Sequence, residues 1–436
     1  MALARSQPSR SRHRGAAGLA LEGPSPAARA EARRGLYVHV PFCATRCSYC
    51  DFSSGSLSAT ALERYLEGME REVALRAPSV AGQVFSSVFF GGGTPSALSA
   101  RHFRRLGQAL RSNFAIAPGA EITLEANPES VRPALLEAWR EAGVNRLSMG
   151  AQSFVPAELE RLGRLHDAER PAAAIAAARA HGFRRLSLDL MFGFPGHTEQ
   201  TWRHTLERAL EIRTEHLSAY CFIPEPGTPL GNAALSGAAP LPGPEEQAEH
   251  YALLTETLAA AGLGCYETSN FCRPGAEARH NLVYWLRRPY LGLGPSAHGL
   301  LNGVRYGNHY ALERWASELA LGRQPQSETE PESPERAASE CVMLALRLST
   351  GLKFADYPRP LARAIERRYA GAFDHAVAIG RLASAPGTLR IAATHRFVAD
   401  DVIAWIEARA ERPGVDSAPR GSVPLLACPS PPFPAA

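Results

Sequence analysis

Three cysteines, Cys43, Cys47 and Cys50, crowd into one short segment, while Cys221, Cys265, Cys272, Cys341 and Cys428 are scattered singly along the chain. In a small secreted domain such a cluster would read as disulfides. In a long Arg/Leu/Ala-rich chain it points to metal binding or catalysis in a reducing compartment. Three thiolates on one loop can ligate three corners of an iron–sulfur cube and leave the fourth iron open. An open iron can chelate the amino and carboxylate groups of S-adenosylmethionine and pass an electron into its sulfonium. A structural zinc ion wants four ligands, usually as two pairs. No second CxxC exists here, and His39, which could complete a Cys3His set, alternates with Tyr37 on a predicted strand. A [4Fe–4S] cluster is therefore the expected occupant of Cys43, Cys47 and Cys50.

Other chemistry-bearing residues recur at comparable places. The run Phe89-Phe90-Gly91-Gly92-Gly93-Thr94-Pro95 closes an apolar strand with three glycines, which let a ligand approach the backbone and leave its N–H and C=O groups free. Taken alone it could be a tight turn. Glu125, in Thr123-Leu-Glu-Ala-Asn-Pro128, ends another apolar run; such a carboxylate is either solvated or accepts hydrogen bonds from ribose hydroxyls. Gln152, Arg164 and Asp189 taken singly would pass for core or surface residues.

The elements that carry these residues follow a repeating pattern. Strand-like runs at Leu36–Val40, Ser87–Phe90, Glu121–Ala126, Arg146–Met149, Arg185–Met191 and His216–Phe222 alternate with helical stretches at Ala59–Ala77, Ala100–Ser112, Val131–Ala142, Arg170–His181 and Thr198–Ile212. Six strands alternating with five helices predict parallel β/α units with right-handed crossovers, as an open sheet or a partial barrel. Cys43, Gly91 to Gly93, Glu125, Gln152 and Asp189 all fall at or just past the C-terminal ends of these strands, the edge where β/α folds build active sites. A Gly/Pro/Ala-rich connection, Gly227–Pro244, then leads to a helix near Glu245–Ala261, a loop-rich stretch over Tyr266–Gly307, and a helical region from Pro334 to about Ala410.

The 436 residues, 45% of them hydrophobic, are enough for one large domain and one or two smaller ones. A formal charge of +4 and basic residues that are nearly all Arg, with Lys353 the only lysine, give no basic stripe, so no nucleic-acid partner is expected. That argues against an RNA-modifying enzyme. No run approaches the roughly 20 apolar residues of a membrane span. The first 34 residues are rich in Arg, Ala, Ser and Pro, with Glu22 and Glu31 the only acids and no apolar h-region, so the expectation is a disordered or targeting extension and not a secretory signal. A cytoplasmic location follows, with a mitochondrial one as the alternative. Residues 411–436 read as a disordered tail.

Tyr37-Val-His39-Val-Pro41-Phe42-Cys43 through Cys50-Asp51-Phe52 resembles the radical-SAM family of oxygen-independent coproporphyrinogen III oxidases and the related haem chaperones, over about residues 36–299 and more weakly to 410. The resemblance implies an α/β fold, a partial (β/α)6 radical-SAM barrel over residues 35–265, with a smaller, mainly helical C-terminal domain over 266–410. It implies that Gly92, Gly93 and Thr94 contact the methionine amino group, that Glu125 takes a ribose-binding role, and that Gln152, Arg164 and Asp189 contact S-adenosylmethionine. Tyr37 and Tyr49 fall where aromatic rings pack against the nucleoside.

Within this family the oxidase carries a fourth cysteine two residues after the third ligand, where this chain has Phe52. The chaperone mark His-Asn-x-x-Tyr-Trp is present as His280-Asn281-Leu-Val-Tyr284-Trp285. A neutral imidazole is a normal axial ligand for haem iron and aromatic rings suit a flat macrocycle, although a packed core histidine has the same look. The resemblance therefore implies a haem chaperone that binds haem at His280 and hands it to acceptor proteins, touching membranes only peripherally through such acceptors. The alternative is oxidative decarboxylation of coproporphyrinogen III.

Overall fold

The computed structural model describes residues 24–410. The Cys428 thiol, most of the N-terminal extension and the C-terminal tail lie outside them. Six parallel strands form where the sequence alternates, β1 (Gly35–Val40), β2 (Val84–Gly92), β3 (Ala115–Ala126), β4 (Arg146–Gln152), β5 (Arg185–Phe192) and β6 (His216–Cys221). The helices between them run over Ala59–Arg76, Ala100–Asn113, Pro133–Glu141, Arg170–Ala180 and Glu199–Ile212. Ser58, Ser99 and Thr198 cap three of these by accepting a backbone N–H in the first turn.

The six strands pair in sequence order. Sequential order with right-handed crossovers puts every helix on one face and curls the sheet around the other, which is the partial-barrel arrangement. The period-2 alternation of the strands assigns the faces. Leu36, Val38 and Val40 of β1, Val88 and Phe90 of β2, and Leu147, Met149 and Ala151 of β4 join the helices in one continuous core. The intervening residues Tyr37, Phe89, Thr123, Glu125, Ser148, Asp189 and Ser218 face inward, and the register stacks them across strands: Tyr37 opposite Phe89, Glu125 opposite Ser148, Asp189 opposite Ser218.

The stretch expected to be loop-rich over Tyr266–Gly307 instead extends this sheet at both ends. Of two short strands, β7 (Gly264–Cys265) and β8 (Asn270–Cys272), β8 adds antiparallel to β6 and β7 adds antiparallel to β8 at the sheet's end. Strand β9 (Tyr290–Leu293) pairs parallel to β1, and β10 (His298–Leu301), β11 (Val304–Asn308) and β12 (Gln326–Pro331) continue antiparallel from it, giving twelve strands in all. These strands are short, four of the six carry a glycine, and they lie toward the two ends of the sheet, so they lack the apolar alternation that marks β1 to β6. Further on, helices Pro334–Ala345, Arg359–Ala378 and Ala399–Glu407 pack with a three-stranded sheet around a core of their own. Within the segment read as an extension, Pro26–Glu31 forms a helix, and Ala28 and Ala32 pack beside Leu282 and Val283. Among the described residues no helix is long and apolar enough to cross a membrane.

The bottom of the barrel is plugged. Arg146 pairs with Glu121 at 2.9 Å, both fully buried, and donates to the carbonyls of Ala276 and Glu277. The opposite end, where the strands finish, stays open.

Candidate functional site

The loop after β1 carries Cys43, Cys47 and Cys50, and all three thiols line one pocket at the open end of the barrel. Two backbone bonds dock the loop's start on the glycine run, from Gly93 N to Val40 O at 2.8 Å and from Thr94 N to Phe42 O at 2.7 Å. Its middle is tied down from Ser48 N to Leu162 O and from Leu230 N to Ser48 O. Side chains reach the sulfurs as well: Thr94 Oγ1 donates to Cys43 Sγ at 3.3 Å, and Arg164 Nη1 to Cys47 Sγ at 3.4 Å. Burial pushes the Cys50 thiol up to about 11, so a metal that binds it must displace a proton.

The same pocket is lined by Tyr49, Gly92, Gly93, Thr94, Glu125, Gln152, Arg164 and Asp189, so the structure brings together eleven of the thirteen residues picked out from the sequence. Glycine is required in the cradle. A Cβ on Gly92, whose φ is +107°, would sit 2.6 Å from the His39 ring, and one on Gly93 would sit 2.7 Å from Phe42 O. Gln152 ends β4 in a left-handed conformation, φ +65°, at a register shift against β5. A strained residue of this kind at a strand end is the sort that persists at binding sites.

Two carboxylates face this pocket. Asp189 is buried and accepts from Ser148 Oγ on both oxygens, at 2.9 and 3.0 Å. Burial raises its pKa, against the lowering effect of Ser218 and Ser148. Glu125 is raised further, by burial first and then by the charge of Asp189. Its Oε1 is shut off from solvent without a hydrogen-bond partner, as is Thr123 Oγ1 on the same face. A buried carboxyl group that is disfavoured from ionising by burial and by a neighbouring carboxylate, and that leaves an acceptor empty, suits a ligand bringing positive charge and hydroxyl donors. S-adenosylmethionine carries a sulfonium, an ammonium and ribose hydroxyls.

Cys43, Cys47 and Cys50 offer three thiols around one pocket. Among the described residues no group of three or more His, Cys, Asp or Glu is arranged to hold one metal ion. A cube makes a different demand, three thiolates spread around a space, each on its own iron.

Arg164 joins the parts of the site. Burial disfavours its cation, but the Tyr49 and Cys47 groups beside it outweigh that and hold it charged. Its Nη2 donates to Asn127 Oδ1 and to Gly150 O, both at 2.8 Å. Asn127 and Ser148 line the pocket and were missed by sequence reasoning. Spacing held the clue: Asn127 follows Glu125 by two, and Ser148 and Gly150 share the face of Gln152.

Tyr37 and His280 lie elsewhere. Tyr37 is buried, donates to or accepts from His39 Nδ1 at 2.9 Å, and lines a neighbouring cavity. His280 is buried with both ring nitrogens in hydrogen bonds, Nδ1 to Ser87 Oγ and Nε2 to Tyr284 Oη, each 2.9 Å. Its ring stacks on Phe89 at 5.1 Å between centroids, and its N–H reaches Glu121 Oε1 at 3.0 Å. It therefore sits by the plugged end of the barrel, among residues that close the fold.

Residues 37–209 match the radical SAM superfamily. The chain is 37% identical over 374 residues to a protein of Mycobacterium tuberculosis named heme chaperone HemW, covering 85% of this chain and 93% of that one. It is also 37% identical to the bovine protein named radical S-adenosyl methionine domain-containing protein 1, mitochondrial, over 76% of each chain. Among solved structures, coproporphyrinogen III oxidase (HemN) from Escherichia coli superposes with a TM-score of 0.75 at 24% identity, over 88% of this chain and 92% of the oxidase, which establishes likeness of fold.

Proposed function

The chain belongs to the HemW family of radical-SAM proteins, and from that premise we propose that it is a haem chaperone, binding haem and delivering it to acceptor proteins. Cys43, Cys47 and Cys50 would hold the [4Fe–4S] cluster, and the pocket beside them would take S-adenosylmethionine. Once bound, the two supply one-electron chemistry at the sulfonium. The chain's own residues do the positioning. Thr94 and Arg164 donate to thiolate sulfur and so favour the charged, metal-binding form. Glu125 and Asp189 offer acceptors to the cationic ligand, with Asp189 held in place by Ser148. Gly92 and Gly93 let the ligand lie against backbone, and Tyr49 and Gln152 complete the wall.

One observation favours the chaperone over the oxidase: Phe52 stands where the oxidase resembled here has its fourth cysteine, and its ring lines the cofactor pocket. We place the protein in a reducing compartment, where a cluster loop and free thiols persist: the cytoplasm, with the mitochondrion as the alternative. The test is anaerobic reconstitution with iron and sulfide, then haem titration and an assay on coproporphyrinogen III. Stoichiometric haem binding without turnover supports the chaperone. Formation of protoporphyrinogen would make the protein an oxidase.

A further inference from the structure

A second cavity, of about 220 Å³ against about 90 Å³ for the first, adjoins the cofactor pocket and shares Phe52 and Gly92 with it. Its walls are mainly rings: Tyr37, Phe52, Tyr284, Tyr290 and the imidazoles of His39 and His298. The histidines here and behind the wall differ in how their nitrogens are committed. His39 is fully engaged, Nδ1 with Tyr37 Oη at 2.9 Å and Nε2 with Ser53 O at 3.0 Å. His280 is engaged at both nitrogens as well. His298 has only the Glu328 carboxylate 3.6 Å from Nδ1, and among the described residues its Nε2 has no hydrogen-bond partner.

We propose that this second cavity is the docking site for haem and that His298, through Nε2, is the axial ligand of its iron. The inference rests on the chaperone reading and adds the site and the ligating atom. A neutral imidazole is the commonest protein ligand for haem iron. In metal sites the ligand's other nitrogen usually faces a carboxylate or carbonyl, which fixes the tautomer and raises basicity. Glu328 stands in that position, its carboxylate 3.6 Å from Nδ1.

The fold builds this pair. His298 on β10, Gly307 on β11 and Glu328 on β12 lie in one cross-strand row. A Cβ on Gly307 would stand 2.6 Å from Glu328 Oε1 and 2.9 Å from His298 Cε1, so only glycine lets the carboxylate and the imidazole meet over that strand. Just before β10, Ser296 is held at φ +63° and also lines the cavity, a strained backbone position of the kind found at ligand sites. The cavity is smaller than the roughly 300–1,000 Å³ of sites that enclose a ligand. It would grip one edge of a macrocycle between aromatic rings and leave the rest open, as suits cargo that must be released. His280 then acts as a positioning residue, since its Nε2 holds the hydroxyl of the wall residue Tyr284.

The experiment titrates haemin into the cluster-loaded full-length protein and reads affinity, the optical Soret band and the haem electron paramagnetic resonance signal. His298→Ala is expected to lose the imidazole-ligated signature, and millimolar imidazole is expected to restore it. Glu328 is largely exposed, so Glu328→Gln tests the carboxylate without threatening the fold; it is expected to lower haem affinity about ten-fold. His280→Ala is expected to retain the imidazole-ligated signature. If wild-type protein binds haem and both His298→Ala and Glu328→Gln match it in spectrum and affinity, the assignment falls while the chaperone reading stands. If wild-type protein binds no haem, both fall.

Discussion

Arg164 donates to Cys47 Sγ at 3.4 Å, joining the second β/α half of the barrel directly to the cysteine loop. The same guanidinium holds Asn127 and Gly150 with its other nitrogen, so one side chain sets the distance between the cluster loop and the ends of β3 and β4. A planar fork can serve three acceptors at once, and an ammonium cannot reproduce that geometry.

Arg164→Lys should therefore loosen the loop while keeping the charge. Hydrogen bonds involving a charged group contribute on the order of 1.5–3 kcal/mol each. The expected outcome is reconstituted protein that loses iron on gel filtration faster than wild type. Equal iron retention would show that the docking bonds of Ser48 and Thr94 suffice.

For the thiols, Cys43→Ser, Cys47→Ser and Cys50→Ser should each abolish the cluster's absorption near ~400 nm, the usual charge-transfer region. Changes at Cys221, Cys265, Cys272 or Cys341 should leave it intact, since none of these lines the pocket. Cys428, outside the described residues, should also be dispensable. A requirement for any of these five would break the three-ligand assignment.

Much of this arrangement was legible in the sequence for a simple reason. Strands β1 to β6 alternate apolar residues, which face the helices, with the polar or aromatic residues that line the barrel, so Glu125 and Asp189 announce both their strand and their face. The cysteine spacing and the glycine run carry their chemistry in residue type. What escaped depends on tertiary pairing. Asn127 matters because Arg164 reaches it from another unit. His280 looks like a ligand until Ser87 and Tyr284 are seen at its two nitrogens. His298 and Glu328 become partners only when three edge strands align, and those strands are too short and polar to show a period.

At the carboxylates, Glu125→Ala and Asp189→Ala should each weaken S-adenosylmethionine binding without changing iron content. Removing a charged acceptor from such a site costs on the order of 1.5–3 kcal/mol, or roughly ten- to a hundred-fold in affinity. Calorimetry on reconstituted protein decides it. Unchanged affinity in both variants would remove them from the site.

Glu125 also makes a prediction about pH in the ligand-free protein. Its folded pKa is raised above the unfolded value, chiefly by burial. The folded state therefore holds its proton more tightly, and the associated stability is present below the unfolded pKa and lost as pH rises through the folded one. Glu125→Gln removes that titration. Its melting temperature relative to wild type should climb from pH 4 to pH 7, whereas a constant offset would mean that Glu125 ionises freely.

The last prediction concerns Phe52, whose ring lines both the cofactor pocket and the second cavity. If S-adenosylmethionine and haem occupy these neighbours, each should change the other's affinity, and linkage requires the two factors to be equal. A coupling of about 1–3 kcal/mol, a factor of roughly 5–150, is the usual range. Phe52→Ala removes the side chain common to both walls while leaving the three cysteines and the His298–Glu328 pair untouched. The cluster should assemble normally and each ligand should still bind alone, but the factor by which one alters the other should fall toward unity. Titrating haem with and without S-adenosylmethionine, and the reverse, measures that factor independently in each direction. Coupling that survives Phe52→Ala at full strength would mean that the two sites communicate by another route, with the Gly92 backbone as the remaining shared wall. Wild-type protein in which neither ligand affects the other would show that the two cavities act separately, and the cofactor pocket would then have no part in holding or releasing haem.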